Sequence, residues 1–274
     1  MSSTPVLHDG KLYLQLIHGS MSNGATSDAW VVALDGATGN EAWKHQRKTP
    51  GTKENKHSYA SPTIYFDGDK SCLLIHGADY ITAHSLKNGN ELWRCGGLNP
   101  TENYNPYLRF VASPACGDGL IVVPSAKNGP VLGLRPGFSG DITLNREALQ
   151  WRMDTQTPDV PTPVVDNDLV YLCRENGVLI CVDAKTGEKI YEERTDSERH
   201  RASPVVAGGH IYLTSRRGVV TVVKTGRTFE VVARNELEEP MSASPAIANG
   251  RIYLRSFDAL YCIGSATSES SARR

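Results

Sequence analysis

Six times the chain returns to one short phrase. Ser-Pro or Thr-Pro opens an apolar run in STPVL (Pro5), ASPTI (Pro62), ASPAC (Pro114), PTPVV (Pro163), ASPVV (Pro204) and ASPAI (Pro245), at spacings of 57, 52, 49, 41 and 41 residues. A period of this size constrains a fold more tightly than composition does. Each copy must be one supersecondary unit whose apolar faces only its neighbours can cover. Every copy continues alike: a Gly/Asn/Asp turn, a strand such as KLYLQL or HIYLTS, a second turn, and a third strand such as WVVALD or VLICVD. A Gly turn then leads to a fourth strand, with Trp43, Trp93, Trp151, Tyr191 or Val232 at one matching place.

Short runs of β-branched and aromatic residues between Gly/Asn/Asp turns predict an all-β fold, and no segment carries the period of an amphipathic helix. The proline fits the first position of a strand, where its missing N–H costs no ladder bond. Four antiparallel strands in sequence order, A to D with A innermost, make one blade of a β-propeller. The reading is therefore one propeller domain over residues 1–264. Its blades start near residues 3, 60, 112, 161, 202 and 243, and 265–274 form a polar, disordered tail. The third blade reaches Trp151 only after an insertion, GFSGDITLNREAL. The sixth has strands A, B and C but no D. A lone three-stranded blade exposes an unpaired edge, so the expectation is that the missing strand lies upstream of Met1, in a larger propeller.

The totals exclude several classes. A net charge of −1 over 274 residues offers no global field for nucleic acid. The basic runs SRRG and SERHRAS have acidic neighbours, which argues for a solvated face. No run has the 18–20 apolar residues of a bilayer span, and the opening MSSTPVLHDGKLYL has no signal-peptide pattern. Cys72, Cys95, Cys116, Cys173, Cys181 and Cys262 include no adjacent pair and no C-x-x-C. Cys181 and Cys262 fall where other copies carry Ala33, Ala83 or Gly133, which predicts small packed residues.

The unit SPxxxxGxxYxxxxxGxLxxxDxxTGxxxW resembles the pyrroloquinoline-quinone (PQQ) repeat family, best in DAWVVALDGATGNEAWKH and NGVLICVDAKTGEKIYEE. The chain looks similar to the PQQ-like propellers abundant in planctomycetes. The resemblance implies about six blades of an eight-bladed, exported or periplasmic protein. The same repeat occurs in quinoprotein alcohol dehydrogenases, in a lipoprotein scaffold of outer-membrane β-barrel assembly, and behind some bacterial serine/threonine kinase domains. Fold alone does not choose among these. The dehydrogenases hold PQQ against a disulfide of two adjacent cysteines, with Ca²⁺ on Glu, Asn and Asp, and this sequence has no Cys-Cys. PQQ and calcium therefore rest on resemblance only, and the expectation is no cofactor, no metal and no catalysis. Kinase and hydrolase motifs such as H-R-D, D-F-G, G-x-S-x-G and H-E-x-x-H are missing from the sequence. The leading reading is a non-catalytic protein-binding or assembly scaffold. A PQQ-dependent oxidoreductase and a sensor module of a larger, kinase-linked protein are the alternatives.

In an A–D meander the A–B and C–D turns share one face, and the B–C and D–A connections share the other. The second face carries the long connections Lys44–Tyr59 and Arg94–Val111, and the first B–C loop, HGSMSNGATSD. Long loops on a rigid scaffold are where binding residues concentrate. Residues just before each Pro motif lie nearest the channel mouth. That singles out His57, Tyr59, Arg109, Asp159 and His200, with Tyr107 beside them, as a docking site for a protein or peptide, Tyr and Arg being the usual anchors. His18 and His76 each follow a B strand, and a hydrogen-bonded structural role fits them better than a metal.

Overall fold

The computed structural model describes residues 3–18, 29–68 and 70–264. It is built from 24 short strands and two single 3₁₀ turns, Lys53–Lys56 and Thr101–Asn103. Blade one is β1 (Val6–His8), β2 (Lys11–Leu16), β3 (Trp30–Asp35) and β4 (Glu41–Gln46). Blade two is β5 (Thr63–Tyr65), β6 (Cys72–Gly77), β7 (Tyr80–Ser85) and β8 (Glu91–Cys95). Blade three is β9 (Ala115–Gly117), β10 (Leu120–Pro124), β11 (Val131–Leu134) and, past the inserted β12 (Gly140–Asp141), β13 (Leu149–Met153). Blade four is β14 (Val164–Asp166), β15 (Leu169–Cys173), β16 (Val178–Asp183) and β17 (Lys189–Arg194). Blade five is β18 (Val205–Ala207), β19 (His210–Thr214), β20 (Val219–Lys224) and β21 (Val231–Glu236). The last sheet has three strands, β22 (Ala246–Ala248), β23 (Arg251–Arg255) and β24 (Leu260–Gly264). Each blade pairs its strands antiparallel in sequence order. The loop 19–28 and the tail 265–274, both given roles from the sequence, lie outside the described residues.

The Ser/Thr-Pro phrase has a function that sequence reading missed. The backbone N–H of each motif residue donates to the hydroxyl of the next blade's motif: Thr4 to Ser61 (2.9 Å), Ser61 to Ser113 (2.8 Å), Ser113 to Thr162 (3.1 Å), Thr162 to Ser203 (3.0 Å) and Ser203 to Ser244 (2.9 Å). The A strands are the innermost, and β5, β9, β14 and β18 lie side by side in succession. Their inner ends therefore have no further strand to bond. The hydroxyls satisfy amides that the ladder leaves free. The proline after each hydroxyl has no N–H of its own to satisfy.

Between blades the cohesion is apolar. Five buried clusters lie at the five junctions between successive blades. Trp43 of blade one bonds Leu86 O of blade two through Nε1 (3.2 Å), and Trp151 of blade three bonds Ala184 O of blade four (2.8 Å). The fourth-strand aromatics are thus inter-blade packing. Gly89, at φ +75°, lies directly under the Trp43 ring, where a Cβ would collide with it. Among the described residues no such cluster joins blade six to blade one, and Leu7 and Leu260 are exposed at the two ends of the array.

Each C–D ladder has a bulge at one place, after Ala33, Ala83, Gly133, Cys181 and Val222. Opposite these lie Trp43, Trp93, Trp151, Tyr191 and Ala233. The matching residue of blade five is therefore Ala233, and Val232 is turned outward. Cys181 is the buried small residue expected, but Cys262, at the same place in blade six, is exposed, since among the described residues no fourth strand covers it. The insertion of blade three has its own role: β12 pairs parallel with β8 and adds a fifth strand to blade two.

Candidate protein-docking face

The D–A connections are fastened to the B–C turns by backbone bonds that repeat around the array. Each connects a segment to its own blade's turn, as Thr157 N–H to Gly129 O (3.3 Å), Thr195 to Gly177 (2.9 Å) and Leu237 to Gly218 (3.1 Å). Others cross to the next blade: Glu175 N–H to Pro158 O (3.2 Å), Arg216 to Arg199 (2.7 Å) and Phe257 to Pro240 (3.1 Å). The face is therefore a continuous hydrogen-bonded rim, not a set of separate loops.

Its most elaborate part lies over blades one and two, where the D–A connections are longest. Asp79 sits at the tip of the β6–β7 turn with φ +68°, and its carboxylate is buried. It accepts from Asn55 Nδ2 (2.6 Å), Asn99 Nδ2 (3.0 Å) and the Tyr104 hydroxyl (2.8 Å). Tyr104 oxygen in turn accepts from the Thr52 amide (3.1 Å). One carboxylate thus ties both long connections to one turn. Burial pushes its pKa up, and the bonds from Asn99, Tyr104 and Asn55 and the charge of Arg47 oppose that shift.

Beneath it lies Arg47, whose side chain is fully buried between blades one and two. Its Nε–H donates to Thr82 Oγ1 (2.9 Å) and its Nη2–H to Tyr80 O (2.7 Å), while Nη1 has no partner. Burial lowers its pKa to about 9. His84 completes the chain, with Nδ1 3.0 Å from Gly89 O and Nε2 2.9 Å from Thr82 Oγ1. A carbonyl only accepts, so Nδ1 carries the proton and Nε2 takes the Thr82 hydroxyl. Burial holds His84 neutral, with its pKa down to about 4.

Four of the six residues singled out from the sequence fall on this pinned region. His57 closes the Lys53–Lys56 turn, its N–H donating to Glu54 O (3.0 Å). Tyr59 is exposed, and its N–H bonds Phe110 O (2.9 Å), which aligns it beside Arg109. Arg109 pairs with Glu54 at 3.3 Å. Tyr107 is 47% exposed; Lys53 Nζ donates to its hydroxyl (3.0 Å) and stands 5.0 Å from its ring centroid.

The other two lie elsewhere. Asp159 accepts from the Lys127 amide (2.6 Å) and borders a cleft of about 320 Å³ between the B–C turns of blades three and four, with Arg174 and Asn128. His200 presents no side-chain surface: its ring is buried, Nδ1 lies 3.1 Å from Glu198 O, and Nε2 has no partner. Residues ahead of a Pro motif do not share one orientation: Tyr59 and Arg109 are exposed, whereas His200 is buried. His18 and His76 do not pair either, one being exposed and the other fully buried. His76 stacks edge-on to Phe110 at 5.1 Å, and neither ring nitrogen makes a hydrogen bond of ordinary geometry, though the Pro124 and Tyr80 backbones lie close enough to act on it. Among the described residues no cluster of His, Cys, Asp and Glu has the makings of a metal site. Sequence reading missed Arg47, Asn55 and Asn99; their one signal was the polar character of unusually long connections.

A second concavity, about 290 Å³, lies on the opposite face beside Trp93. Here the insertion of blade three replaces the tight Gly turn that covers the equivalent Trp43, and Phe138 and Pro136 form its wall.

Comparison with known proteins agrees with this architecture. A family model described as outer membrane protein assembly factor BamB matches residues 1–129 and 139–228. The crystal structure of BamB from Moraxella catarrhalis superposes with a TM-score of 0.69 at 18% identity, covering 94% of this chain and 70% of that one. The computationally designed Ika8 protein superposes with a TM-score of 0.68 at 10% identity, covering 95% of this chain and 70% of that one. No curated protein matches the chain in sequence.

Proposed function

The chain belongs to the PQQ-repeat family of outer membrane protein assembly factor BamB, and from that premise we propose that it is a non-catalytic docking scaffold for a protein or peptide. The docking surface is the rim over blades one and two. The observation that carries this reading is the Asp79 hub. A buried carboxylate with three side-chain donors fixes two long loops and so pre-orders exposed Tyr107 and Arg109 before any partner arrives. Pre-ordering removes an entropic cost of association, and Tyr and Arg are the side chains that most often carry interface energy. The family description supports a protein of outer-membrane assembly as the class of partner, and an exported location with it.

The test is a binding measurement with Tyr107→Ala/Arg109→Ala. The control is Arg146→Ala, in the insertion of the opposite face. Against outer-membrane proteins and assembly components from the native organism, the rim variant loses at least about tenfold in affinity, the loss expected of a hot-spot pair. The control binds as the parent does. Equal binding by all three proteins overturns the assignment of this rim.

A further inference from the structure

The fourth-strand Trp of blades one, two and three stands at one place in the fold, but only two of the three are capped. Trp43 Nε1 donates to Leu86 O (3.2 Å), and three residues on Gly89 lies against the ring. Trp151 Nε1 donates to Ala184 O (2.8 Å), and three residues on Gly187 lies against the indole. In each case the cap is the C–D turn of the next blade. It supplies one carbonyl oxygen and one residue without a side chain. Trp93 faces Ala83 in the register in which Trp43 faces Ala33. Among the described residues, however, its Nε1 has no acceptor. The insertion that replaces the turn has a glycine too, Gly137 at φ +94°, but a Cβ there would meet nothing within 4 Å. Neither half of the cap is in place.

In that place is the cleft of about 290 Å³, walled by Trp93, Tyr65, Ile121, Pro136 and Phe138. The walls are firmly held. β12 pairs Gly140 with Trp93 itself, Ile142 and Ala148 are buried in the core, and Phe138 packs against that core. Trp93 is 5% exposed and its nitrogen is not among the sealed polar atoms, so the N–H is open where the ring borders the cleft. The two charged residues of the lining, Asp67 and Lys70, are opposite in sign. An apolar hollow with one free donor and no net charge selects a neutral ligand that brings an acceptor. Blades two and three are both complete, so the cleft lies within the array and not at its ends.

We propose that the cleft beside Trp93 binds a compact neutral amide, its oxygen accepting from Trp93 Nε1–H and a glycine-like stretch lying against the indole. A free small amide and a glycine turn of a polypeptide both carry that group, and the test separates them. Leu144 and Arg146 belong to the same insertion but do not line the cleft. The proposal does not depend on the rim over blades one and two.

The test follows the four indole N–H signals of the whole chain by NMR after labelling with ¹⁵N-tryptophan, that of Trp93 being the one lost in Trp93→Phe. In the free protein the Trp93 indole exchanges with water about tenfold faster than those of Trp43 and Trp151, which are hydrogen-bonded. The probes are acetylglycinamide, a capped peptide of residues 184–187, and the same peptide with Ala in place of its Gly. At millimolar acetylglycinamide or glycine peptide the Trp93 signal shifts and its exchange slows by about tenfold, while Trp43 and Trp151 are unmoved. A response to acetylglycinamide shows that a free amide suffices, and a response to the glycine peptide alone identifies a polypeptide turn. The alanine peptide has no effect, because its Cβ would collide with the indole as one on Gly187 would with Trp151. No response to either glycine probe overturns the proposal, as does an equal response to the alanine peptide. A Trp93 N–H as protected as the other two in the free protein also overturns it, since the chain would then supply its own acceptor.

Discussion

The amide of Ser61 donates to the hydroxyl of Ser113 across the junction of blades two and three, at 2.8 Å. It is one link of a belt that runs from Thr4 to Ser244, and it makes the commonest phrase in the sequence a connector between blades. Ser113→Ala leaves the half-buried Ser61 amide without its acceptor and costs about 1 kcal/mol, the net worth of an ordinary hydrogen bond. Ser113→Thr keeps the hydroxyl, as Thr162 does naturally, and costs less than half as much. Urea unfolding of the two variants separates these outcomes; equal losses would mean that packing at this site matters and the bond does not.

Gly89 and Gly119 both have positive φ, +75° and +65°, but differ in surroundings. A Cβ on Gly89 enters the Trp43 ring, whereas one on Gly119 meets nothing within 4 Å. Gly119→Ala thus costs only backbone strain, about 1 kcal/mol. Gly89→Ala adds displacement of a Trp from an inter-blade junction, for a total of about 3 kcal/mol. Thermal melts of the pair check the difference, and equal shifts would remove Trp43 from the list of inter-blade anchors.

Acid should loosen the protein before its carboxylates titrate. His76 and His84 are buried neutral, with pKa values driven down by burial to about 3 and about 4. Unfolded, each takes a proton near pH 6.5. Stability from these rings is complete above that value and is lost as pH falls below it, at about 1.4 kcal/mol per pH unit for each ring. Denaturant midpoints at pH 7 and pH 5 should fall accordingly, and His84→Gln should flatten the slope. A parent protein as stable at pH 5 as at pH 7 would show that these rings are open to water.

Asp79→Ala removes the shared acceptor of Asn55, Asn99 and Tyr104. Local opening of the two long connections becomes easier by about 2–3 kcal/mol, the cost of leaving buried donors unmet. Hydrogen exchange should rise in 52–58 and 99–107 and stay unchanged in β19 and β20. A uniform rise throughout the chain would mean that Asp79 supports the whole array.

The blade plan was legible because each turn and strand recurs with its own chemistry. In the C–D turn, for example, Asp35 Oδ1 accepts from the amides of Ala37 (3.1 Å) and Thr38 (2.8 Å), and Asp183 repeats this with Lys185 and Thr186 (3.0 Å each). Local rules of that kind are visible in sequence. The belt was not, since its bonds join residues 41 to 57 positions apart. The candidate site was legible in part. Loop length pointed to the rim as a candidate, and Tyr107 and Arg109 are at its surface. The position before a Pro motif says nothing about which way a side chain turns, so His200, read as rim, is buried. Arg47, Asn55 and Asn99 looked like ordinary loop polar residues until their convergence near one carboxylate became visible in three dimensions.

The most direct measurement is site-specific photocrosslinking in native cells. A photoreactive phenylalanine would be placed at Tyr107 on the pinned rim, and in a second protein at Leu144, 93% exposed on the opposite face. The expected result is a discrete cross-linked protein from position 107, abolished by Asp79→Ala, and none from 144. Cross-links of equal yield from both positions, or from 144 alone, would contradict a docking function for the rim over blades one and two.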